Sequence, residues 1–424
     1  MLDVKLLRDE IDEVRGALGR RHIDLTDLDR AAALDRDHRA ALAEAERLRA
    51  EVRRLSGAVA EARRGGDAEA ADRLATESRA VGAAQAPADA EAARLAAELR
   101  TVLLGIPNLP AEDAPDGAGP EANVVVRVSG PEPAWSDDQR LPHWEIGAAR
   151  GWLDPERAVR MSGSMFNMFR GDGARLLRAL TQLALDRHAD AWEEIRPPTM
   201  VRTETMIATG HLPKFADEAY HLERDDLWAI PTAEVPLTSM HAGEVLDEAA
   251  LPLRYTAYTP CFRREAGAAG RDTRGVLRTH EFDKVELMAY CTAAQAPDVH
   301  AEILARSESL LGELGLHFRV LDLCAGDLGF GSRRTFDLEV YAPGCEQWLE
   351  VSSVSWYGDF QARRAATRFK PAEGRGTEHP HTLNGSALAW PRVWAALVET
   401  HRHPDGTIGV PDAVRPYLRG ATVL

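Results

Sequence analysis

The chain has 424 residues, of which 45% are hydrophobic and 28% charged, and a formal net charge of −16. This length exceeds that of one ordinary hydrophobic core and predicts two or three domains. The negative charge argues against a wholesale nucleic-acid coat, although a local basic face could still bind RNA.

The N-terminus, MLDVKLLRDE, is charged and lacks the apolar region of a signal peptide, and no stretch of the chain reaches the roughly 18 apolar residues of a membrane span. We therefore expect a cytoplasmic protein with neither a membrane nor DNA as a partner. None of the four cysteines belongs to a C-x-x-C pair, so no zinc site and no disulfide framework is indicated, and no zinc is expected.

Residues from about 28 to 104 carry a seven-residue repeat that is typical of coiled coils. Its apolar positions are Leu34, Ala41, Leu48 and Leu55 and, after a Gly-Gly turn, Leu74, Val81, Ala88, Leu95 and Val102. The pattern predicts two helices in an antiparallel hairpin, each roughly 50 Å long at ~1.5 Å per residue, with a kink or a broken turn at Pro87. Such a hairpin could serve dimerisation or spacing, or it could probe a long regular partner such as an RNA helix.

The stretch GIPNLPAEDAPDGAGPEAN is rich in proline, glycine and acidic residues and predicts a linker. We therefore divide the chain into a helical domain (1–104), a linker (105–123) and a larger domain (124–424). In the larger domain, two segments have helical periodicity, and LPLRYTAYTPCFR, FDKVELMAYC and RTFDLEVYAP alternate like antiparallel strands. Blocks of helices and strands without a βαβ rhythm predict an α+β fold with an antiparallel sheet.

The stretch CFRREAGAAGRDTRGVLRTHEFDKVEL places a basic, glycine-rich loop between two predicted strands. The planar guanidinium of Arg263 could hold a phosphate and a carboxylate together, and Phe282 could stack on a base. Glu265 and Glu286 could read amino or hydroxyl groups. Three further arginines of the loop could close over a polyanion: Arg271, Arg274 and Arg278. A solvated hairpin tip would explain one or two of these arginines but not the whole set.

The same stretch resembles motif 2 of the class II aminoacyl-tRNA synthetases, and in particular that of the seryl-tRNA synthetases. IRPPTMV resembles motif 1, whose proline lies at the dimer interface. The segments TGHLPKF, PTAEVPLT, GDLGF, DFQARR and HTLNGSALA follow in the order of the family, so the resemblance covers the whole chain. It implies a class II antiparallel-sheet catalytic core with an N-terminal antiparallel coiled-coil hairpin.

The resemblance implies an ATP site in which Arg263 bridges the α-phosphate and the amino-acid carboxylate. Glu265 would read the adenine amino group, Phe282 would stack on the ring, and Arg392 would contact the γ-phosphate. Glu350 and Ser353 would hold Mg²⁺ with ATP, since Mg²⁺ prefers hard oxygen ligands. The remaining residues of the implied ATP site are Arg264, Arg271, Val351 and Ser352.

The resemblance also implies a serine site. Thr232, Ala233 and Glu234 would take the α-ammonium group, and Arg263 the carboxylate. Glu286, Asn384 and Ser386 would surround the hydroxyl group. Seen alone, the Thr-x-Glu pattern is also compatible with an ordinary helix cap. A site of buried donors and acceptors would reject alanine, because an unpaired buried polar group costs ~1–3 kcal/mol.

The implied partners are ATP, L-serine and tRNA(Ser), and the implied assembly is a homodimer formed through the region of Pro197 and Pro198. Serine would first be activated to seryl-adenylate, and the seryl group would then pass to the tRNA. In the family the hairpin reaches the long variable arm of the tRNA. The resemblance therefore favours the RNA probe over the spacer.

The chain departs from the family pattern at Trp356, Tyr357 and Gly358, and at Pro391 before the motif 3 arginine. An indole at position 356 would change the volume near the active site. These departures leave open a specialised second copy, serving a biosynthetic pathway or resistance to an inhibitor. A carrier-protein aminoacyl ligase and a non-enzymatic RNA-binding paralogue are more distant alternatives.

Overall fold

The computed structural model describes residues 1–129, 133–266 and 274–424. The chain forms two compact units. One comprises Leu2–Gly19 and Ile23–Pro107, and the other comprises Met1, Arg20–His22 and Asn108–Leu424. None of the helices in the described ranges is both long enough and apolar enough to cross a membrane.

The first unit is helical. Its helices are α1 (Val4–Asp9), α2 (Ile11–Gly19), α3 (Thr26–Arg64) and α4 (Ala68–Gly105). Helices α3 and α4 have 39 and 38 residues, which corresponds to about 57–59 Å each. The carboxylate of Asp67 accepts a hydrogen bond from the backbone N–H of Ala70 and so caps the start of α4.

The repeat positions of α3 and α4 form the buried seam of an antiparallel hairpin. Leu34, Leu48 and Leu55 are buried on α3, and Leu95 and Val102 on α4. Cross-helix ion pairs fix the direction, because Arg30 pairs with Glu98 at 2.8 Å and Arg49 with Asp89 at 2.6 Å. The predicted hairpin is therefore confirmed. The sequence predicts a kink or a broken turn at Pro87. Helix α4 continues through Pro87, so the turn is not broken.

The second unit is built around an antiparallel sheet. Its strands are β1 (Val124–Val128), β2 (Glu193–Glu194), β3 (Met200–Arg202), β4 (His221–Leu222), β5 (Leu227–Ala229), β6 (Val245–Asp247), β7 (Leu253–Phe262), β8 (Glu281–Cys291), β9 (Phe318–Asp322), β10 (Arg334–Ala342), β11 (Gln347–Gly358), β12 (Arg368–Lys370) and β13 (His381–Ala389). Within the described residues, eight strands form one sheet in the order β1-β9-β10-β11-β13-β8-β7-β2. The short pair β2–β7 is its parallel pair, and the other neighbours are antiparallel.

Helices pack against both faces of this sheet. The helices of the unit are α5 (His143–Ala149), α6 (Pro155–Ser162), α7 (Gly171–His188), α8 (Thr203–Thr209), α9 (Glu234–Ser239), α10 (Ala296–Glu313), α11 (Phe360–Ala365) and α12 (Trp390–Thr400). Short 3₁₀ turns lie at Pro120–Ala122, Asp137–Arg140, Ala216–Glu218, Glu248–Ala250 and Arg415–Leu418. The main apolar core joins α7, α10 and α12 to the sheet, with Trp390 and Trp394 among its largest fully buried side chains.

The register of the sheet brings distant sequence segments together. In the β7–β8 hairpin, Thr259 lies opposite Lys284 and Ala257 opposite Glu286. Glu286 in turn lies opposite Ser386 of β13. Because side chains on a strand alternate between faces, Phe282, Lys284 and Glu286 share one face of β8. Polar groups from β8, β11 and β13 thereby reach the same side of the sheet.

Candidate active site

A cavity of about 750 Å³ lies against this polar face of the sheet. Arg263 reaches it from the end of β7, and Arg392 from the first turn of α12. The other lining residues that matter for its chemistry are His211, Thr232, Glu234, Glu265, Phe282, Lys284, Glu350, Val351, Ser352, Ser353, Tyr357, Asn384 and Ser386. Polar side chains that are far apart in the sequence of the second unit therefore line the same cavity.

A cluster of polar side chains around Glu286 closes one end of the cavity. The side chain of Glu286 is fully buried. Thr232 Oγ1 donates to Glu286 Oε2 at 2.7 Å. Lys284 Nζ lies 2.5 Å from the same oxygen and donates to Thr232 Oγ1 at 2.8 Å. The ammonium group therefore compensates the charge of Glu286 and satisfies the threonine hydroxyl at the same time.

Asn384 joins this cluster to a second buried carboxylate. Its Nδ2 donates to Glu234 Oε2 at 3.0 Å and to Glu286 Oε1 at 3.2 Å. Its Oδ1 accepts from the hydroxyl of Tyr357 at 3.1 Å. The other oxygen of Glu234 accepts from Gln361 Nε2 at 2.6 Å. One amide thus fixes the distance between two carboxylates that start on different elements.

Negative charge is in excess at this end of the cavity. Burial, together with the charge of Glu286, raises the pKa of Glu234 to about 7. Burial and then the carboxylate of Glu234 raise the pKa of Tyr357 well above its usual value. Elsewhere in the lining, burial and then the cations Arg263 and Lys284 lower the pKa of His211 to about 4. A ligand with a cationic group next to Glu234 would relieve the repulsion between the two carboxylates.

The other end of the cavity is arranged around Arg263. Its guanidinium carbon lies 5.1 Å from the centre of the Phe282 ring, within cation–π range. Glu265, which has a positive φ of 50°, forms an ion pair with Arg278. Arg264 is directed elsewhere, because its Nη1 donates to the carbonyl oxygen of Asp217 at 3.4 Å.

Arg392 is held by backbone carbonyls. Its Nε donates to the oxygen of Leu277 at 3.0 Å, and its Nη1 donates to the oxygen of Glu350 at 2.8 Å. Pro391 stands in the first turn of α12, where the missing N–H has no partner within a helix in any case. The departure at position 391 therefore costs the helix no hydrogen bond.

A strand bulge explains how Glu350 and Ser353 reach the same cavity. Residues three apart on a regular strand point to opposite faces. Here Leu338 pairs with Ser352 and the next residue of β10 pairs with Glu350, so Val351 is an extra residue that shifts the phase. Both Glu350 and Ser353 consequently line the cavity.

Asp337 lies opposite Ser353 on β10. Its Oδ1 is buried and lacks a hydrogen-bond partner within the described ranges. Burial and the charge of Glu350 raise its pKa well above the usual value. A second cavity of about 430 Å³ is lined by Asp337, Glu350 and Ser353 together. These oxygens form a donor set that suits a hard divalent cation.

Comparison with known proteins gives the chain a family. The tRNA synthetase class II core domain (G, H, P, S and T) matches residues 218–401, and the seryl-tRNA synthetase N-terminal domain matches residues 1–110. The serine–tRNA ligase of Gemmatimonas aurantiaca is 44% identical over 429 residues, covering 100% of both chains. That of Geobacter sulfurreducens is 44% identical over 422 residues, covering 99% of both.

The chain belongs to the seryl-tRNA synthetase family. Among solved structures, the seryl-tRNA synthetase from Pyrococcus horikoshii complexed with ATP is 32% identical, has a TM-score of 0.92, and matches over 100% of this chain and 99% of that one. The predicted family, its α+β class II fold and the ligase class of the enzyme are confirmed. The relatives named here are ordinary serine–tRNA ligases, which favours the main prediction over a specialised copy or a carrier-protein ligase.

Most of the residues that the sequence predicts for a seryl-tRNA synthetase site lie around this one cavity. Glu286 lies buried behind Thr232 and Asn384 and contacts both. Ala233 is also fully buried and is absent from the lining of the described cavity. Arg264 is absent from the lining of the described cavity. Arg271 lies outside the described residues.

The structure also corrects one expectation about volume. Trp356 packs on the opposite face of β11, where its Nε1 donates to His381 Nδ1 at 3.2 Å and Arg333 stacks on its ring at 4.7 Å. The side chain that enters the cavity is the neighbouring Tyr357. Alternation along the strand is the physical reason, since adjacent side chains face opposite sides.

Sequence reasoning missed four residues of the site. Lys284 could have been found from the sequence, because it lies between Phe282 and Glu286 at every second position of β8 and so shares their face. Gln361 lay within the recognised segment DFQARR but was assigned no role, and Asp337 carries no local signal, since its role arises from its pairing with β11. His211, in TGHLPKF, lay within a recognised segment but was assigned no role.

Proposed function

We propose that this chain activates L-serine with ATP to form seryl-adenylate and then transfers the seryl group to tRNA(Ser). The observation that carries the proposal is the continuity of one cavity from the buried Glu234–Asn384–Glu286 cluster to Arg263. A small amino acid in the cluster would turn its carboxylate toward the guanidinium, where the α-phosphate of ATP would meet it. Such a shared cation holds nucleophile and electrophile together.

The serine end supports recognition of both the ammonium and the hydroxyl group. In this proposal Glu234 and Thr232 take the α-ammonium, while Glu286, Asn384 and Ser386 surround the hydroxyl group. Ala233 would contribute through its backbone in the loop between them. Alanine would leave these buried groups unpaired at a cost of about 1–3 kcal/mol, and the extra methyl group of threonine would have to displace packed side chains.

The phosphate end supports ATP. We assign adenine stacking to Phe282, contact with the adenine amino group to Glu265, and the γ-phosphate to Arg392. Val351 and Ser352 would line the nucleotide side of the bulge. We leave Arg264 out of this assignment, because its guanidinium lies against the backbone at Asp217.

We propose Mg²⁺ as the metal that accompanies ATP. Glu350 and Ser353 would hold it, and the unpartnered oxygen of Asp337 fits the same donor set. When bound, the ion would offset negative charge on the phosphates. The protein contributes carboxylate and hydroxyl oxygens that are fixed by the β10–β11 register.

Both chemical steps can proceed without a protein nucleophile. In the first, the serine carboxylate attacks the α-phosphorus, the bond to the bridging oxygen breaks, and pyrophosphate leaves. Arg263 would neutralise charge on the α-phosphate in the transition state. In the second, the terminal ribose hydroxyl of the tRNA attacks the acyl carbon, AMP leaves with the carboxyl oxygen, and the hydroxyl proton is released.

The α3–α4 hairpin is our candidate for tRNA binding, since a rigid helical pair can read the shape of an RNA helix. The domain division at the 105–123 linker, a homodimer formed through the region of Pro197 and Pro198, and a cytoplasmic location complete the proposal.

Pyrophosphate exchange with each amino acid in turn tests the proposal. We expect exchange with serine that is lost when EDTA removes the divalent metal, and little exchange with alanine or threonine. Transfer is then measured with tRNA and with a carrier protein as acceptors. Absence of serine-dependent exchange by the purified protein would refute the proposed activation step, and transfer to the carrier protein alone would refute the acceptor.

A further inference from the structure

A second buried polar cluster lies outside the substrate groups described above. It contains His143 at the start of α5, Glu399 near the end of α12, and Cys345 in the β10–β11 turn. The side chains of His143 and Glu399 are fully buried. Glu399 Oε1 accepts from both the backbone N–H and the Nδ1 of His143 at 2.8 Å each. Its Oε2 accepts from the backbone N–H of Gly344 at 2.9 Å.

The three side chains have the composition of a metal site, with ligand atoms within 4.8 Å of one another. Their hydrogen bonds point to a different role. The Nε2 of His143 accepts from the backbone N–H of Val276 at 3.1 Å, so this nitrogen carries the lone pair and Nδ1 carries the proton. The thiol of Cys345 donates to Glu399 at 3.1 Å. The groups that a metal would need are therefore committed to hydrogen bonds.

This cluster is connected to the active-site loop. Val276 belongs to the segment 275–278, the C-terminal part of the basic loop between β7 and β8. This segment supplies three residues of the cavity lining, Val276, Leu277 and Arg278. Gly275 has a positive φ of 63°, and a Cβ there would overlap the His143 ring at Nε2. The backbone therefore approaches the imidazole more closely than another residue would allow.

Helix α12 holds the same segment from two places. Arg392 Nε donates to the carbonyl oxygen of Leu277 at 3.0 Å. Glu399 stands seven residues later on α12, two turns further along the same side of the helix, and holds His143 against Val276. One helix thus fixes backbone groups of two consecutive residues, the carbonyl of Leu277 directly and the N–H of Val276 through a histidine.

We propose that His143 and Glu399 are positioning residues for the nucleotide end of the active site. They hold the segment 275–278 so that Leu277 keeps Arg392 aimed at the phosphates. This inference rests on the proposed function, because it assigns the effect to ATP. Serine recognition should be nearly independent of it, since the side chains of Thr232, Glu234 and Asn384 form no hydrogen bond with this segment among the described residues.

Two substitutions separate positioning from ordinary packing. The amide of asparagine can place a donor near the site of Nδ1 and still satisfy Glu399, but it cannot reach Val276. The amide of glutamine can place its oxygen near the site of Nε2 and accept from Val276. If positioning matters, His143→Asn should be the more harmful of the two for ATP use, although it better preserves the buried pair.

The measurements are the KM values for ATP and serine in pyrophosphate exchange, calorimetric binding of a non-hydrolysable ATP analogue, and Tm. We expect His143→Asn to raise the KM for ATP and the analogue Kd about five- to tenfold, the equivalent of one net hydrogen bond. The KM for serine should change less than about twofold, and His143→Gln should recover much of the ATP affinity.

His401→Asn is the matched control. His401 is a partly buried histidine that follows α12, and its Nε2 donates only to the backbone oxygen of Leu314 among the described partners. The His401→Asn substitution should lower Tm without changing the ratio of the KM for ATP to the KM for serine. Equal effects of the Asn and Gln variants at position 143, or equal shifts in the KM for ATP and serine, would overturn the inference. Inactivity of the unaltered chain would instead contradict the proposed function.

Discussion

Serine binding should depend on pH through Glu234. In the proposed serine site the carboxylate must be ionised to take the α-ammonium group, but its pKa is raised to about 7 by burial and by Glu286. At pH below 7 the carboxyl group is mostly protonated, and serine must displace its proton. Serine affinity should therefore rise as pH rises toward 7 and level off above it.

The size of the effect follows from the fraction of ionised Glu234. With a pKa of about 7, that fraction is roughly one in eleven at pH 6 and about nine in ten at pH 8. Because the apparent dissociation constant is the intrinsic one divided by the competent fraction, the KM for serine should be about tenfold higher at pH 6 than at pH 8. Binding at pH 6 should release about 0.9 proton per serine.

Pyrophosphate exchange between pH 5.5 and 8.5 gives the KM for serine, with the KM for ATP as an internal control. Calorimetry of serine binding in two buffers with different ionisation enthalpies counts the released protons. Glu234→Gln should bind serine weakly and lose the pH dependence, because no carboxyl group remains to titrate. A KM for serine that stays constant between pH 6 and 8, or binding without proton release, would show that Glu234 is ionised before serine arrives.

Three further predictions concern single features. Arg263→Ala should abolish exchange, and Arg263→Lys should restore little of it, since lysine lacks the two-pronged donor geometry; the exposed control Arg224→Ala should remain active. Replacing residues 28–104 with a short linker should spare serine-dependent exchange and remove tRNA charging, so surviving charging would exclude the hairpin as the tRNA probe. Lys284→Met should lower the free energy of unfolding by about 3–5 kcal/mol, because it leaves buried carboxylates without their cation. Denaturant titration measures this loss. A loss no larger than that of the exposed variant Lys370→Met would contradict the prediction.

The elements that could be predicted are those whose signal is local. The seven-residue repeat in residues 28–104 specifies a buried seam, and the structure buries Leu34, Leu48 and Leu55 along it. The alternation in FDKVELMAYC likewise specifies a strand, observed as β8. In the hairpin the hydrophobic period alone decides which face is buried. Strand β8 is buried on both faces, and its alternation separates the apolar core face from the polar cavity face.

The fine geometry of the site depends on irregularities that a period does not reveal. The extra residue at Val351 is what lets a Glu-x-x-Ser spacing serve one cavity, and it is visible only in the pairing with β10. The contact between Gln361 and Glu234 spans 127 positions in the chain. Such contacts depend on the order of the strands in the sheet. The pattern of residues within each strand does not determine that order.

The balance of charge explains why these long-range contacts matter for specificity. At the serine end the described side chains provide two carboxylates, Glu234 and Glu286, and a single ammonium group, Lys284. A zwitterionic amino acid adds a cation where the negative charge is in excess, and its carboxylate reaches toward Arg263. Asn384 donates to both carboxylates and so holds them at a fixed separation, while their mutual repulsion favours protonation of Glu234 until the cation arrives. Recognition of the ammonium group thus depends on an amide that is itself neutral.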